Sequence, residues 1–194
     1  MLSAHTTPGR RDAAYAALLR IPALTPDAMF RAARGRLTAA LVQAGPYQEQ
    51  RLHALLLGVE RFRRQPAFSA IVRGALPRAR RLLARVPRLG EGGVHRMLLF
   101  GGQHCVMPVD RDVARLVSRL ASAGGWERLK APRLRPIRRM IEAGLPREEL
   151  AYRRAALYLR HHAVQTCADD PHCSVCPLSW RCPSRGGSAL PEPV

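Results

Sequence analysis

Proline and glycine interrupt this chain at short intervals, and what lies between them is built largely from Ala, Leu and Arg. The 16 Pro and 15 Gly break the chain into successive segments. Ala, Leu and Arg are strong helix formers, while the β-branched and aromatic residues that favour strands are sparse. No stretch alternates with period two between hairpin turns. The expected fold class is therefore all-α, a stack of short helices. The spacing predicts helices over 10–19, 25–41, 48–65, 78–85, 94–100, 110–120, 132–142 and 146–165. Thr25-Pro26-Asp27 is a helix start in three residues: a capping hydroxyl, a proline at the first helical position and an acid in the first turn. A length of 194 residues suits one domain or two small ones. The division is expected near residue 100, with a second part over 101–183 and a Pro/Gly/Ser-rich tail over 184–194.

Charge narrows the choice of partner. There are 32 Lys+Arg against 14 Asp+Glu, a net charge of +18. All but one of the cations are Arg, Lys130 being the exception. GC-rich coding would explain Arg in place of Lys, but not the shortage of carboxylates. An excess this large favours a polyanion, with nucleic acid ahead of an anionic membrane surface. No apolar run approaches the ~20 residues of a membrane helix, so no membrane partner is expected. The N-terminus lacks the charged lead and apolar block of a secretory signal, and the expected location is the cytoplasm.

Four of the five cysteines, Cys167, Cys173, Cys176 and Cys182, fall in a C-x5-C-x2-C-x5-C run. In a cytosolic protein such a cluster reads as metal ligation rather than disulfides. A structural zinc takes four thiolates, usually as two short C-x2–4-C pairs. A 4Fe–4S cluster accepts wider and less equal loops. Spacing alone leaves both open. Pro177 and Pro183 directly follow two of the cysteines and stiffen the loop. Cys105 and Trp126 and Trp180 are expected to pack in the interior. His161 and His162 are expected at a helix end, and His172 is not needed as a ligand.

A glycine-rich turn lies upstream: Val86-Pro87-Arg88-Leu89-Gly90-Glu91-Gly92-Gly93. Free amides ahead of a helix favour an anion, and glycine lets a phosphate approach the backbone. Arg78, Arg80, Arg81 and Arg85 lead into it, either as phosphate contacts or as a solvated face. This turn, then Pro108-Val109-Asp110 opening a helix, then the cysteine loop, in that order, resembles endonuclease III and its helix-hairpin-helix DNA glycosylase superfamily. Leu2-Ser3-Ala4 and Gly45-Pro46-Tyr47 are similar to two further stretches of that family. The family hairpin is Leu-Pro-Gly-Val-Gly-x-Lys-Thr-Ala, and its cysteine loop has one more residue in the first gap.

The resemblance implies an endonuclease III-like two-part helical fold, a 4Fe–4S cluster on Cys167, Cys173, Cys176 and Cys182, and duplex DNA bearing a damaged or mispaired base as partner of a monomer. It implies DNA contacts at Arg88, Leu89, Gly90, Gly92 and Gly93. His5 stands where the family has a Gln that fills the gap left by the flipped base. The family's catalytic Asp falls on Asp110. Its Schiff-base Lys falls on Gly92, so the implied activity is base removal without strand cleavage. Asp110 also reads as a simple helix cap. A catalytically silent paralogue that binds damaged or bent DNA, and a zinc-bearing basic regulator, are the competing expectations.

Overall fold

The computed structural model describes residues 6–21, 25–32, 34–65, 67–87, 89–121 and 134–185. Among the described residues there are ten α-helices and no strand, as the helix-forming composition predicts. None is long and apolar enough to cross a membrane. His5, Arg88, Trp126, Lys130 and the tail from 186 lie outside the described residues.

The chain forms two compact units, Met1–Gly90 and Glu91–Val194. The first holds α1 (Pro8–Leu19), α2 (Pro26–Arg31), α3 (Arg34–Val42), α4 (Gln48–Arg63), α5 (Phe68–Arg73) and α6 (Leu76–Ala84). Thr25 caps α2, its hydroxyl accepting from the Ala28 amide at 3.2 Å. The core of this unit includes Leu18 of α1, Met29 of α2, Leu37 and Leu41 of α3, and Leu52 and Val59 of α4, all buried. On α4 these are spaced to one face. Arg63 of α4 bonds Asp27 of α2 at 2.6 Å and lies 3.9 Å over the Phe30 ring.

Two boundaries differ from the sequence expectation. The helix predicted over 25–41 is two helices, because Ala32 takes extended backbone (ψ 136°) after α2. Gly35, at the second position of α3, is the nearest helix-weakening residue to that break. The segment around 66–77, read as broken chain, holds the short α5. The turn into α4 is tight: Gly45 and Tyr47 both have left-handed backbone (φ 89° and 68°). Buried Arg51 braces it by donating to the carbonyls of Gly45 and Pro46.

The second unit holds α7 (Glu91–Phe100), α8 (Arg111–Ala121), α9 (Leu134–Ala143) and α10 (Glu149–Gln165), then a 3-10 turn at Cys173–Val175. Helix α8 sits at its centre and packs on both α9 and α10. Its buried face carries Val113, Ala114, Leu116 and Val117. Around it lie Leu99 of α7, Met107 and Val109 of the segment before α8, Ile137 of α9, and Tyr152 and Ala156 of α10. Cys105 packs against this core, as expected. Truncating a side chain as buried as Leu99 costs about 2–5 kcal/mol. Two features of the functional region therefore rest on packed helices: the start of α8 and the loop after α10.

Candidate active site

Helix α6 ends at Ala84 and α7 starts at Glu91, joined by the six residues 85–90. Turn hydrogen bonds from the Val86 amide to Leu83 and from the Leu89 amide to Val86 fold this connection. Helix α7 begins three residues earlier than predicted, so Gly92 and Gly93 lie inside its first turn rather than in the loop. Their amides are among those a helix leaves without an internal partner. Gly90 is exposed, and a β-carbon there would meet nothing within 4 Å. Arg78, Arg80, Arg81 and Arg85 are all exposed, while Ala79 and Leu83 of α6 are buried.

Gly92 is not the open hole that its small size suggests. A β-carbon on it would lie 3.1 Å from the carbonyl oxygen of Val109 and 4.0 Å from the β-carbon of Asp110. Glycine lets the first turn of α7 approach this backbone closely. It also places position 92 directly beside Asp110.

Asp110 precedes α8 and is partly buried. Its Oδ1 accepts the Val113 amide at 3.1 Å, so the capping interaction is present. Its other oxygen faces two guanidinium groups. Arg96 of α7 donates to Oδ2 at 3.4 Å. Arg160 of α10 donates to the same Oδ2, and its Nη1 also bonds Oδ2 of Asp112 at 3.2 Å. Two cations and an amide hold this carboxylate in place as an acceptor. Sequence reasoning had not singled out Arg96 or Arg160. They come from 14 residues before and 50 residues after Asp110.

Polar contacts continue along α8. Arg115 is buried and bonds Oδ1 of Asp112 at 3.1 Å. Its Nε donates to the carbonyl of Cys167 at 3.2 Å and its Nη2 to that of Ala163 at 3.0 Å. Arg119, one turn on, donates to the carbonyl of Ala168 at 2.6 Å and lies 3.4 Å from the Cys167 sulfur.

Cys167, Cys173, Cys176 and Cys182 all line one cavity, with Leu116 and Leu120 of α8 forming part of its apolar wall. Cys167 is buried and the other three are half-buried. The loop closes by successive turns, with the amides of Cys176, Ser179 and Cys182 donating to Cys173, Cys176 and Ser179. Ser184 ties its end to the Arg119 carbonyl at 2.8 Å. No three His, Cys, Asp or Glu side chains among the described residues converge as a site for a metal ion. A tetrahedral zinc with Zn–S bonds of about 2.3 Å would need its sulfurs within about 3.8 Å of one another. His162 faces this cavity, its Nε2 lying 3.6 Å from the Cys176 sulfur. Burial, reinforced by His161, lowers the pKa of its imidazole. Trp180 is exposed rather than packed inside, donating to the Pro177 carbonyl at 3.1 Å under the Arg181 guanidinium. The short loop has no core of its own to bury an indole.

A second polar cluster supports α7. Arg138 of α9 bonds Glu91 at 2.7 Å and lies within 3.3 Å of both ring nitrogens of buried His95. The hydrogen bond from Arg138, opposed by burial and helped by His95, lowers the pKa of Glu91. His95 thus packs internally.

No protein-family model matches the chain, and no curated protein matches its sequence. Solved structures do match. A non-covalent endonuclease III–DNA complex superposes with a TM-score of 0.72 at 18% identity, over 95% of this chain and 79% of that one. A thermostable thymine-DNA glycosylase gives 0.73 at 18% identity, covering 95% and 80%. A trapped endonuclease III–DNA covalent intermediate gives 0.71 at 19% identity, again over 95% and 80%. The chain has an all-α, endonuclease III-like fold.

Proposed function

We propose that this endonuclease III-like chain is a base-excision DNA glycosylase that removes a damaged or mispaired base from duplex DNA and leaves the strand intact. The observation that carries the reading is Asp110. It is an anchored, partly buried carboxylate at the start of α8, facing a position that offers no amine. The target base leaves the stack to reach the site. As the N-glycosidic bond lengthens, positive charge develops on the sugar, and Asp110 stabilises it. A water attacks the sugar carbon, oriented by the same carboxylate. Schiff-base chemistry needs a primary amine. Gly92 supplies none, and the guanidinium groups of Arg96 and Arg160 stay protonated and are not nucleophiles.

The net charge of +18 and the exposed arginines of α6 support backbone contact. Gly90, Gly92 and Gly93 bring backbone amides to a phosphate, with Leu89, Arg88 and His5 as the remaining proposed DNA contacts. The protein acts as a monomer. Cys167, Cys173, Cys176 and Cys182 would hold a 4Fe–4S cluster. Four thiols around one cavity, spaced by wide and unequal loops, suit a multi-atom centre better than one zinc. Such a cluster would supply structural cross-linking of the loop. Purified protein with broad absorption near about 400 nm supports it, and a colourless zinc protein refutes it.

The activity test is a nicking assay on duplexes carrying uracil, thymine glycol or an adenine mispair, split with and without hot alkali. Breaks only after alkali are the expected result, and Asp110→Asn should lower them at least about 100-fold. A second reading has its own support. The Asp110 carboxylate is already engaged by an amide and two arginines, which suits a silent paralogue that only binds DNA. No breaks on any lesion, from protein that still binds the duplex, would establish that reading instead.

A further inference from the structure

Asp110 and Asp112 present two carboxylates within reach of one arginine. A site that must receive a phosphodiester next to two carboxylates needs a cation that can turn toward the ligand, since like charges brought together repel. The two arginines at Asp110 differ in this respect. Arg160 spans both carboxylates and is about two-thirds buried. Arg96 pairs with Asp110 at 3.4 Å, well beyond the roughly 2.7–2.9 Å of a tight charge-assisted bond. Its side chain is 43% exposed. It stands one helical turn after Gly92 on α7, on the face that meets Asp110.

We propose that Arg96 is an exchangeable positioning residue: it rests on Asp110 in the free protein and moves to a backbone phosphate beside the extruded nucleotide when DNA binds. The planar guanidinium matches a phosphate oxygen pair. Its departure leaves Arg160 to hold the carboxylate and removes one positive charge from Asp110, where the developing sugar cation needs the negative charge unscreened. Arg96 thus places at phosphate distance a cation that position 92 does not carry. The inference rests on the glycosylase reading for the identity of the nucleotide, but not for the phosphate contact.

The test is binding of the full chain to a duplex with a tetrahydrofuran abasic analogue, and to the unmodified duplex, over a salt series. Arg96→Gln should weaken binding about tenfold at low salt and lower the slope of log K against log salt by about 0.9, one phosphate contact. Arg96→Lys keeps the charge and should restore the slope. Arg160→Gln should leave the slope unchanged and lower the melting temperature instead. An Arg96→Gln slope equal to that of the parent overturns the proposal, as do equal slope losses in the Arg96 and Arg160 variants. A parent protein with no preference for the abasic analogue refutes the glycosylase reading. The slope difference on unmodified duplex still decides the role of Arg96.

Discussion

Arg115 ties α8 to the end of α10 and the loop after it. It is buried, and its guanidinium satisfies the carbonyl of Ala163, which the end of α10 leaves open, and bonds that of Cys167 just past the helix. Its bond to Asp169 counts for little, because that carboxylate is 96% exposed. Replacing Arg115 by Met keeps the length of the stem and removes the donors. The Cys167 carbonyl keeps a 3.3 Å bond from Arg119, so the Ala163 carbonyl is the one left without a partner, at about 1–3 kcal/mol. The lost pairing with half-buried Asp112 adds less than about 1 kcal/mol. The sum is about 2–3 kcal/mol. For a chain of this size, that lowers the melting temperature by about 4–12 °C. Thermal unfolding followed by circular dichroism, on parent and Arg115→Met under identical buffer, reads the difference. The loop should also lose protection from hydrogen exchange at Cys167 and Ala168 before the rest of α10. A shift under about 2 °C would refute the claim that the Ala163 carbonyl depends on the guanidinium.

Two further outcomes follow from the geometry. Gly92→Ala removes a poor helix former, which favours α7 by up to about 1 kcal/mol, but sets a β-carbon 3.1 Å from the Val109 oxygen, at about 1–3 kcal/mol. The variant should be less stable by about 1 kcal/mol in urea unfolding, and a more stable variant would refute the close approach. Glu91 has a folded-state pKa below its ordinary value of 4.5. Its contribution is therefore present above that value and lost as pH falls through the folded pKa. Because the carboxylate is 56% exposed, it is worth less than about 1 kcal/mol. Glu91→Gln should flatten stability between about pH 3 and 5 and leave it unchanged in shape above pH 6.

The start of α8 was legible because its signals are local: Pro108 stops the preceding chain, Asp110 caps, and an amphipathic run follows. The cysteine cavity was legible for the same reason, four thiols in a short loop. The partners of Asp110 were not. In a chain with 31 arginines, nothing in the sequence distinguishes Arg96 or Arg160 from those that face solvent on α6. Only packing selects them, since α7 and α10 bring residues far apart in sequence to one carboxylate. The break after α2 is marked only by Gly35, too weak a signal alone to stop a helix, so the expectation ran across it. The close packing at Gly92 was not legible either, because it depends on the Val109 carbonyl of another segment.

The contact between Gly92 and the Val109 carbonyl also bears on how this chain could change. A lysine begins with the same β-carbon as an alanine. An amine at position 92 would need the backbone before Asp110 to shift by a few tenths of an ångström as well as a new codon. Neither change is useful without the other, since the shifted backbone alone disturbs the cap of α8. The close approach at Gly92 thus sets a stability cost on any side chain introduced there, whatever reaction that side chain could add.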